Sequence, residues 1–358
     1  MPRIADSFSN VAVYIYDSLE DARLGQRFGA SGFIVTTPLD EDADLLAAYI
    51  VTNKHVVKNP SRSYSKTPVI RLNRKDGTTE CIPTTEDQWK CHKYGDDVAV
   101  FELRVGDWDA LRLASVELRH FVTPELIVDE DIGIGDDTVM VGRFVNHEGK
   151  QQNAPAVRFG SIAMMNIEPI HCERLGIDQE SFLVETRSLP GYSGSAVLIY
   201  SPCATNDMSE RRFGKNKEAP NLGSGDPDTE FKIKQYVSPK GPYLLGIDWC
   251  HIHRQSFVLN AQGKKIDGEY YVEENTGMAG VIPAWKIADV INCEEFMAAR
   301  KQEAAEHRAR HTSSGVSLDV AERPEPMQIT PKGAEIPVPT KEQFLGDLTK
   351  ASRRVKPD

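Results

Sequence analysis

The sequence PGYSGSAV at residues 190–197 places a serine between two glycines, directly before an apolar segment that is typical of a buried strand. Ser193 is the serine of this turn, with Gly191 and Gly194 on either side. Glycine adopts backbone conformations that other residues avoid, so a turn of this kind can present a side chain and neighbouring N–H groups on one side. Ser193 is therefore a candidate nucleophile.

Two other segments bring a chemically active residue to the end of a predicted strand. YIVTNKHVV at residues 49–57 is an apolar strand that delivers His55 as it turns, and DDVAVF at residues 96–101 places Asp97 at the head of a buried strand. The chain order is His, Asp, Ser, with spacings of 42 residues (55 to 97) and 96 residues (97 to 193). This combination points to one shared site.

Acyl transfer needs these three groups. A serine hydroxyl is a weak nucleophile until an imidazole removes its proton, and a buried carboxylate must hold that imidazole in one tautomer. The developing oxyanion needs N–H donors that are already in place. The sequence predicts Ser193 as nucleophile, His55 as general base and acid, Asp97 as orienting carboxylate, and the N–H groups of Gly191 and Ser193 as the oxyanion hole.

Each segment also contains a competing residue. Successive side chains of a strand point to opposite faces, so only one of Asp96 and Asp97 can meet His55, and Asp97 directly precedes the apolar run. Ser188 and Ser195 compete with Ser193, but neither lies between the two glycines.

The rest of the chain up to about residue 283 predicts an all-β core. Apolar runs of four to eight residues, rich in Val, Ile, Phe and Tyr, alternate with Gly, Pro, Asn and Asp, as in barrels and sandwiches. Residues 201–240 are polar and rich in Gly, Pro and Ser, which predicts a long insertion. From Ala284 to about Arg310 the apolar spacing predicts a helix, followed by a tail.

Composition and charge exclude several classes of protein. The 358 residues include 42 Lys and Arg against 53 Asp and Glu, which gives a net charge of −11. An acidic chain is poorly suited to binding nucleic acid, which needs a local excess of cations. The first residues, MPRIADSFSN, lack the features of a secretory signal, and no apolar run approaches about 18 residues. We expect a cytoplasmic protein that binds neither nucleic acid nor membrane.

The six cysteines predict free thiols, because a chain of this size without an export signal has no need of disulfides. One alternative stays open. The clusters His171-Cys172 and Cys250-His251-x-His253 contain zinc-type ligands, if the fold brings them together. We expect no metal and no cofactor.

With these segments in place, residues 8–300 resemble the chymotrypsin-like (trypsin fold) serine peptidases, in particular the bacterial group that is related to the Deg-type proteases. The resemblance rests on TNKHVV, DVAVF and GYSGSAV, on the opening ASGFIV at residues 30–35, and on the closing strand GMAGVIP at residues 277–283. It implies two six-stranded antiparallel β-barrels, with a substrate cleft between them and a C-terminal helix and tail. One departure is Tyr192, where many members carry an acidic residue that receives a newly cleaved N-terminal amine; activation by that route is not expected.

The resemblance also implies a domain plan and a substrate site. Residues 8–120 form the first barrel with His55 and Asp97, residues 121–300 form the second with Ser193 and the insertion 201–240, and residues 301–358 form the helix extension and tail. The residues implied for substrate binding are Arg187, Ser188, Asp248, Trp249 and Cys250. Arg187 would favour an acidic side chain before the scissile bond, unless Asp248 pairs with it, and a preference for a small or apolar side chain is the alternative.

The predicted function is therefore that of a serine endopeptidase acting on a protein or peptide substrate. The insertion and the tail are candidates for docking a regulatory protein or for autocleavage, and an unstructured linker is the alternative for both. A second hypothesis belongs to a different class: a catalytically silent protease-fold module that recognises a partner through the cleft.

Overall fold

A computed structural model of the chain describes residues 6–26, 29–40, 45–58, 67–144, 149–166, 168–172, 175–186, 191–201, 240–265, 270–313, 327–329 and 335–337. The chain divides into two compact units, Met1–Gln302 and Glu303–Asp358. Most of the insertion predicted at 201–240 and most of the predicted tail lie outside the described residues.

The N-terminal part of the first unit is an antiparallel sheet. Its strands follow the order β5-β4-β1-β2-β3-β7-β6, and a short β8 lies parallel to β2. The strands are β1 (Ala12–Tyr16), β2 (Gly29–Pro38), β3 (Leu46–Thr52), β4 (Val69–Asn73), β5 (Thr79–Pro83), β6 (Lys90–Cys91), β7 (Ala99–Glu102) and β8 (Val116–Glu117).

Alternate residues of these strands form one buried core. Val13, Ile34, Ile50 and Ile70 come from four different strands and pack with Trp89, whose indole N–H donates to Thr84 at 2.8 Å. β3 lies between β2 and β7, so the end of β3 is held from both sides. This fixes the point at which the chain turns towards His55.

The following strands close into a six-stranded barrel in the order β10-β13-β16-β15-β14-β9. Its core includes Phe182, Val184, Val197 and Val281, and a separate two-stranded hairpin, β11 with β12, precedes β13 along the chain. The strands are β9 (Asp137–Gly142), β10 (Ala156–Met164), β11 (Ile170–Cys172), β12 (Ile177–Gln179), β13 (Phe182–Glu185), β14 (Ala196–Ser201), β15 (Lys240–Phe257) and β16 (Tyr271–Pro283).

The helices are short, except near the end of the first unit. They are α1 (Leu19–Leu24), α2 (Lys54–Val57), α3 (Pro124–Asp129), α4 (Ala284–Ile291) and α5 (Glu294–Ser313), with 3-10 helices at Asp6–Val11, Glu86–Gln88 and Leu118–His120. The single helix predicted from Ala284 is wrong in one respect. It breaks after Ile291, where the N–H groups of Asn292 and Cys293 bond back to Ala288 and Val290 and end the first helix.

The all-β prediction is confirmed: the fold is mostly β, with a closed six-stranded barrel and a second antiparallel sheet. The predicted division at residues 120–121 stays a prediction. In the second unit, part of the predicted tail forms a small hairpin of β17 (Met327–Ile329) and β18 (Glu335–Pro337). Within the described residues, no helix is long and apolar enough to cross a membrane.

Candidate active site

His55 and Asp97 meet where two strands of the first sheet end. His55 lies in α2, three residues after the end of β3, and Asp97 lies two residues before β7. One carboxylate oxygen, Oδ1, accepts the backbone N–H of His55 at 2.8 Å, and the other, Oδ2, lies 2.5 Å from the His55 ring atom Nδ1. Because both oxygens bind the same residue, the main chain and the ring of His55 are fixed together.

The surroundings of this pair indicate which ring nitrogen of His55 donates a hydrogen bond and which one can accept a proton. The Asp97 side chain is 4% exposed and the His55 side chain 20% exposed. An ionised carboxylate can only accept hydrogen bonds, so Nδ1 donates, and Nε2 of the neutral ring carries a free lone pair. His55 is thus arranged to take a proton at Nε2.

Two hydrogen bonds hold the main chain of Asp97 in place. Its carbonyl oxygen accepts from the Asn53 side chain at 3.0 Å, and its N–H donates to Oε1 of Gln179 at 2.9 Å. Nε2 of Gln179 in turn donates to Asp96 at 2.5 Å. Gln179 is buried on β12, at the end of the β11–β12 hairpin. Sequence reasoning missed Gln179, since nothing in its local sequence sets it apart.

Asp96 points away from His55. Its carboxylate lies 2.6 Å from Nδ1 of His92 and 3.5 Å from Nζ of Lys286. The two adjacent aspartates therefore have different partners: Asp97 holds His55, and Asp96 joins the loop to Gln179 and to α4.

The turn that carries Ser193 is held by backbone hydrogen bonds from two sides. Within the turn, the N–H of Ser195 donates to the carbonyl of Tyr192 at 2.8 Å. The N–H of Ser31, in β2, donates to the carbonyl of Ser193 at 2.9 Å, and the N–H of Gly194 donates to the carbonyl of Asp248, in β15, at 2.9 Å. The turn is thus anchored to a strand of the first sheet and to a strand of the barrel.

Position 194 accepts only glycine. Its φ is +91°, and a Cβ atom there would lie 1.9 Å from the carbonyl oxygen of Ser31. Gly191 also has a positive φ, +96°. Among the described residues, neither the N–H of Gly191 nor that of Ser193 donates a hydrogen bond. Neither N–H group therefore has a partner in the part of the chain that the structure describes.

The Ser193 hydroxyl has its own partner. Oγ donates to the carbonyl oxygen of Trp249 at 3.5 Å, and no hydrogen bond among the described residues joins Oγ to His55. Nucleophile–base hydrogen bonds are often long in proteins without substrate and tighten on binding. A rotation about the Cα–Cβ bond of Ser193 is the motion that would redirect the hydroxyl.

Tyr192 anchors the turn from inside the barrel. Its side chain is fully buried, and its hydroxyl accepts from Nε of Arg158, on β10, at 2.7 Å. The Arg158 guanidinium also lies 4.6 Å from the centre of the Tyr192 ring. A buried hydroxyl with a charged donor is a strong contact, so the residue between Gly191 and Ser193 is firmly placed.

The residues expected to bind substrate are divided between two regions. Arg187 and Ser188 lie outside the described residues. Asp248, Trp249 and Cys250 are consecutive on β15, beside the serine turn, and all three side chains are buried. The Trp249 indole N–H donates to the Ser181 hydroxyl at 2.9 Å, which fixes the Trp249 side chain.

Asp248 is a buried acid with an incomplete set of partners. Its N–H donates to the carbonyl of Ser195 at 3.0 Å, but its side chain is 2% exposed, and Oδ1 has no hydrogen bond among the described residues. Burial raises the pKa of this carboxyl well above its ordinary value.

The raised pKa of Asp248 predicts a pH-dependent cost to stability. Below about pH 4, the ordinary pKa, the folded and unfolded chains both hold the proton, and the group has no effect. Above that pH the unfolded chain releases its proton first, so stability falls with rising pH, by up to about 1.4 kcal/mol per pH unit, until the folded pKa is passed.

Asp248→Asn is therefore expected to stabilise the protein relative to wild type by an amount that grows from about pH 4 upwards. Urea unfolding at several pH values measures this difference. Asp129→Asn, at an exposed position on α3, is the control and should change little at any pH. A stability difference for Asp248→Asn that stays constant with pH would contradict the assignment.

Within the second zinc-type cluster, the rings of His251 and His253 have centroids 4.2 Å apart. No group of three or more His, Cys, Asp or Glu side chains in the described part of the chain could hold a metal ion. Cys81, Cys91, Cys172, Cys250 and Cys293 are free thiols.

Comparisons with known proteins give only distant likenesses. No protein-family model and no curated protein matches the chain. The MamO protease domain from Magnetospirillum magneticum, in its apo form, is a similar solved structure, with 14% identity, a TM-score of 0.42, and coverage of 80% of this chain and 97% of that one. An inactive form of Rv3671c from M. tuberculosis H37Rv has 11% identity, a TM-score of 0.38, and coverage of 79% and 86%. These values do not assign the chain to a family.

Proposed function

We propose that the protein is a serine endopeptidase in which Ser193 attacks the peptide, His55 transfers the protons and Asp97 orients His55. The observation that carries this proposal is a pair of hydrogen bonds. The Asp97 carboxylate accepts one from the ring of His55 and the other from its main chain. A ring held in this way presents a basic Nε2, which is the atom that a serine hydroxyl needs nearby.

The chemistry follows from these positions. Nε2 of His55 takes the hydroxyl proton as Oγ of Ser193 attacks the peptide carbonyl carbon, and the N–H groups of Gly191 and Ser193 stabilise the resulting oxyanion. The protonated His55 then gives its proton to the leaving amine as the carbon–nitrogen bond breaks. Water, activated by His55, hydrolyses the acyl-enzyme and restores the free hydroxyl.

The peptide would lie beside β15. The carbonyl oxygen of Trp249 is 3.5 Å from Oγ of Ser193, so a chain whose scissile carbonyl meets Ser193 would run along the backbone of residues 249–250. Residues 249–250 have no ladder partner on the β14 side among the described residues, so their main chain could bind an extended peptide with little dependence on its side chains. The roles of Arg187 and Ser188 in side-chain preference stay predictions, as do the cytoplasmic location, the regulatory partner and the lack of a cofactor.

One observation favours the second candidate function, a binding module without catalysis. The Ser193 hydroxyl bonds to the carbonyl of Trp249 and not to His55. If that hydrogen bond persisted with a peptide in place, the cleft would bind without cutting. The same experiment separates the two functions.

The test is covalent labelling with a serine-directed phosphonate probe. Such probes react only with a serine whose proton is removed by a neighbouring base and whose oxyanion is stabilised. We expect the wild-type protein to take one label, located on Ser193 by peptide mass spectrometry.

Ser195→Ala is the matched control for this labelling. Ser195 is fully buried, and its hydroxyl bonds to the carbonyl of Tyr192, so its removal should leave the label on Ser193. A folded wild-type protein that takes no label, yet still binds extended peptides, would favour the binding module over the enzyme.

A further inference from the structure

Gln179 bridges the two adjacent aspartates of the candidate site. Its Oε1 atom accepts the N–H of Asp97 at 2.9 Å, and its Nε2 atom donates to Oδ1 of Asp96 at 2.5 Å. Gln179 is 1% exposed, so water has little access to either bond. The β11–β12 hairpin thus places one side-chain amide against the residue that holds His55 and against the residue before it.

The charge of Asp96 decides which end of this amide faces Asp97. An ionised carboxylate only accepts hydrogen bonds, whereas a side-chain amide has a donor end and an acceptor end. The Asp96 carboxylate therefore takes the NH₂ group of Gln179, which leaves Oε1 as the atom that meets the Asp97 N–H. The reversed amide would set its oxygen against the carboxylate and its NH₂ group against the N–H, and both buried hydrogen bonds would be lost.

A lysine on α4 holds Asp96 in this role. Nζ of Lys286 lies 3.5 Å from Oδ2 of Asp96 and 2.9 Å from Oε2 of Glu180, the residue after Gln179. Burial lowers the pKa of Lys286, but the hydrogen bond with Glu180 and the two nearby carboxylates outweigh this effect and raise the pKa, so the side chain is charged. The cation binds one oxygen of Asp96, and the other oxygen remains the partner of Gln179.

We propose that Gln179 is a positioning residue for the reaction: the orientation of its side-chain amide directs Asp97 and, through Asp97, the ring of His55. The effect on kcat rests on the proposed function, whereas the effect on the His55 ring does not. Gln179 and Asn53 hold the main chain of Asp97, and the Asp97 carboxylate holds His55. A shift of the Asp97 main chain would therefore turn the ring, and a misplacement of about 1 Å can cost about 100-fold in rate.

Gln179→Glu is the test of this role. Glutamate keeps the shape of glutamine, but an oxygen replaces the NH₂ group and is repelled by the Asp96 carboxylate. We expect kcat for peptide cleavage to fall by about 10- to 100-fold with little change in KM. In proton NMR spectra, we expect the Nδ1 proton of His55 to exchange with water faster than in the wild type, because its hydrogen bond to Asp97 is weakened.

Adding Asp96→Asn to Gln179→Glu should restore both measurements. The new asparagine can donate to the new glutamate, so the hydrogen bond between positions 96 and 179 forms again with its direction reversed. The second oxygen of the glutamate then accepts from the N–H of Asp97, as Oε1 of Gln179 does in the wild type. The kcat and the exchange rate of the His55 proton are expected to return close to the wild-type values.

Asp178→Asn is the matched control on the same hairpin. Asp178 is exposed, and its carboxylate lies 2.7 Å from Nδ1 of His171 on the opposite strand. This variant removes a charge next to Gln179 in the chain, and we expect wild-type values for kcat and for the His55 proton. If Gln179→Glu does not fold, Gln179→Met takes its place, because it keeps the length of the side chain, adds no charge and removes both hydrogen bonds; it should show the same losses.

A folded Gln179→Glu protein whose His55 proton behaves as in the wild type would overturn the proposal, whatever its urea stability or its kcat. A double variant that does not recover the His55 signal would overturn it as well. The NMR measurement needs no peptide cleavage, so the positioning role and the proposed enzyme can fail separately.

Discussion

Replacing Ser193 with alanine is expected to lower kcat for peptide cleavage by about 10⁴- to 10⁶-fold. The variant keeps the glycines and the backbone hydrogen bonds that form the turn, since these bonds use the main chain of residues 192–195. It loses only the oxygen that attacks the carbonyl carbon. KM, or the dissociation constant for an uncleaved peptide, should change little.

The measurement is steady-state cleavage of a peptide library with purified protein. Ser195→Ala is again the matched control, because it removes a neighbouring hydroxyl that faces the Tyr192 carbonyl. Comparable activity in Ser193→Ala and wild type would show that a different group, or a contaminating enzyme, cuts the peptides.

Changing Asp97 to asparagine is expected to lower kcat by about 10⁴-fold at neutral pH. The amide keeps the size of the carboxylate, but its NH₂ group can donate to Nδ1 of His55. That hydrogen bond moves the ring proton to Nε2, where the ring can no longer accept the hydroxyl proton of Ser193. The loss should appear in kcat with the fold intact.

Asp96→Asn is the control for Asp97→Asn. Asp96 is the adjacent residue, but its carboxylate binds Gln179 and lies near His92 and Lys286. We expect this variant to be less stable to urea and to keep most of the wild-type kcat. If both variants lost activity equally, the loss would come from disturbance of the loop and not from the tautomer of His55.

The parts of the fold that could be predicted are those coded in short apolar runs. The apolar segments quoted above at residues 30–35, 49–52 and 277–283 lie in β2, β3 and β16. Strand alternation also distinguishes Asp97 from Asp96, because adjacent side chains of a strand point to opposite faces. In both cases the pattern is local, so residues that are adjacent in the chain are enough to predict the strand and the direction of its side chains.

The parts that could not be predicted depend on distant contacts. Gln179 supports Asp97 from 82 residues further along the chain, and its position follows from how the β11–β12 hairpin docks. The helix break after Ile291 depends on backbone hydrogen bonds that no residue type there requires.

The Arg158–Tyr192 contact holds residue 192 from within the barrel. Both partners belong to the six-stranded barrel and its adjoining turn, and the phenol hydroxyl receives its hydrogen bond from an arginine of the same chain. The buried polar group at position 192 is therefore satisfied by a side chain of the barrel, and a chain terminus takes no part in the contact.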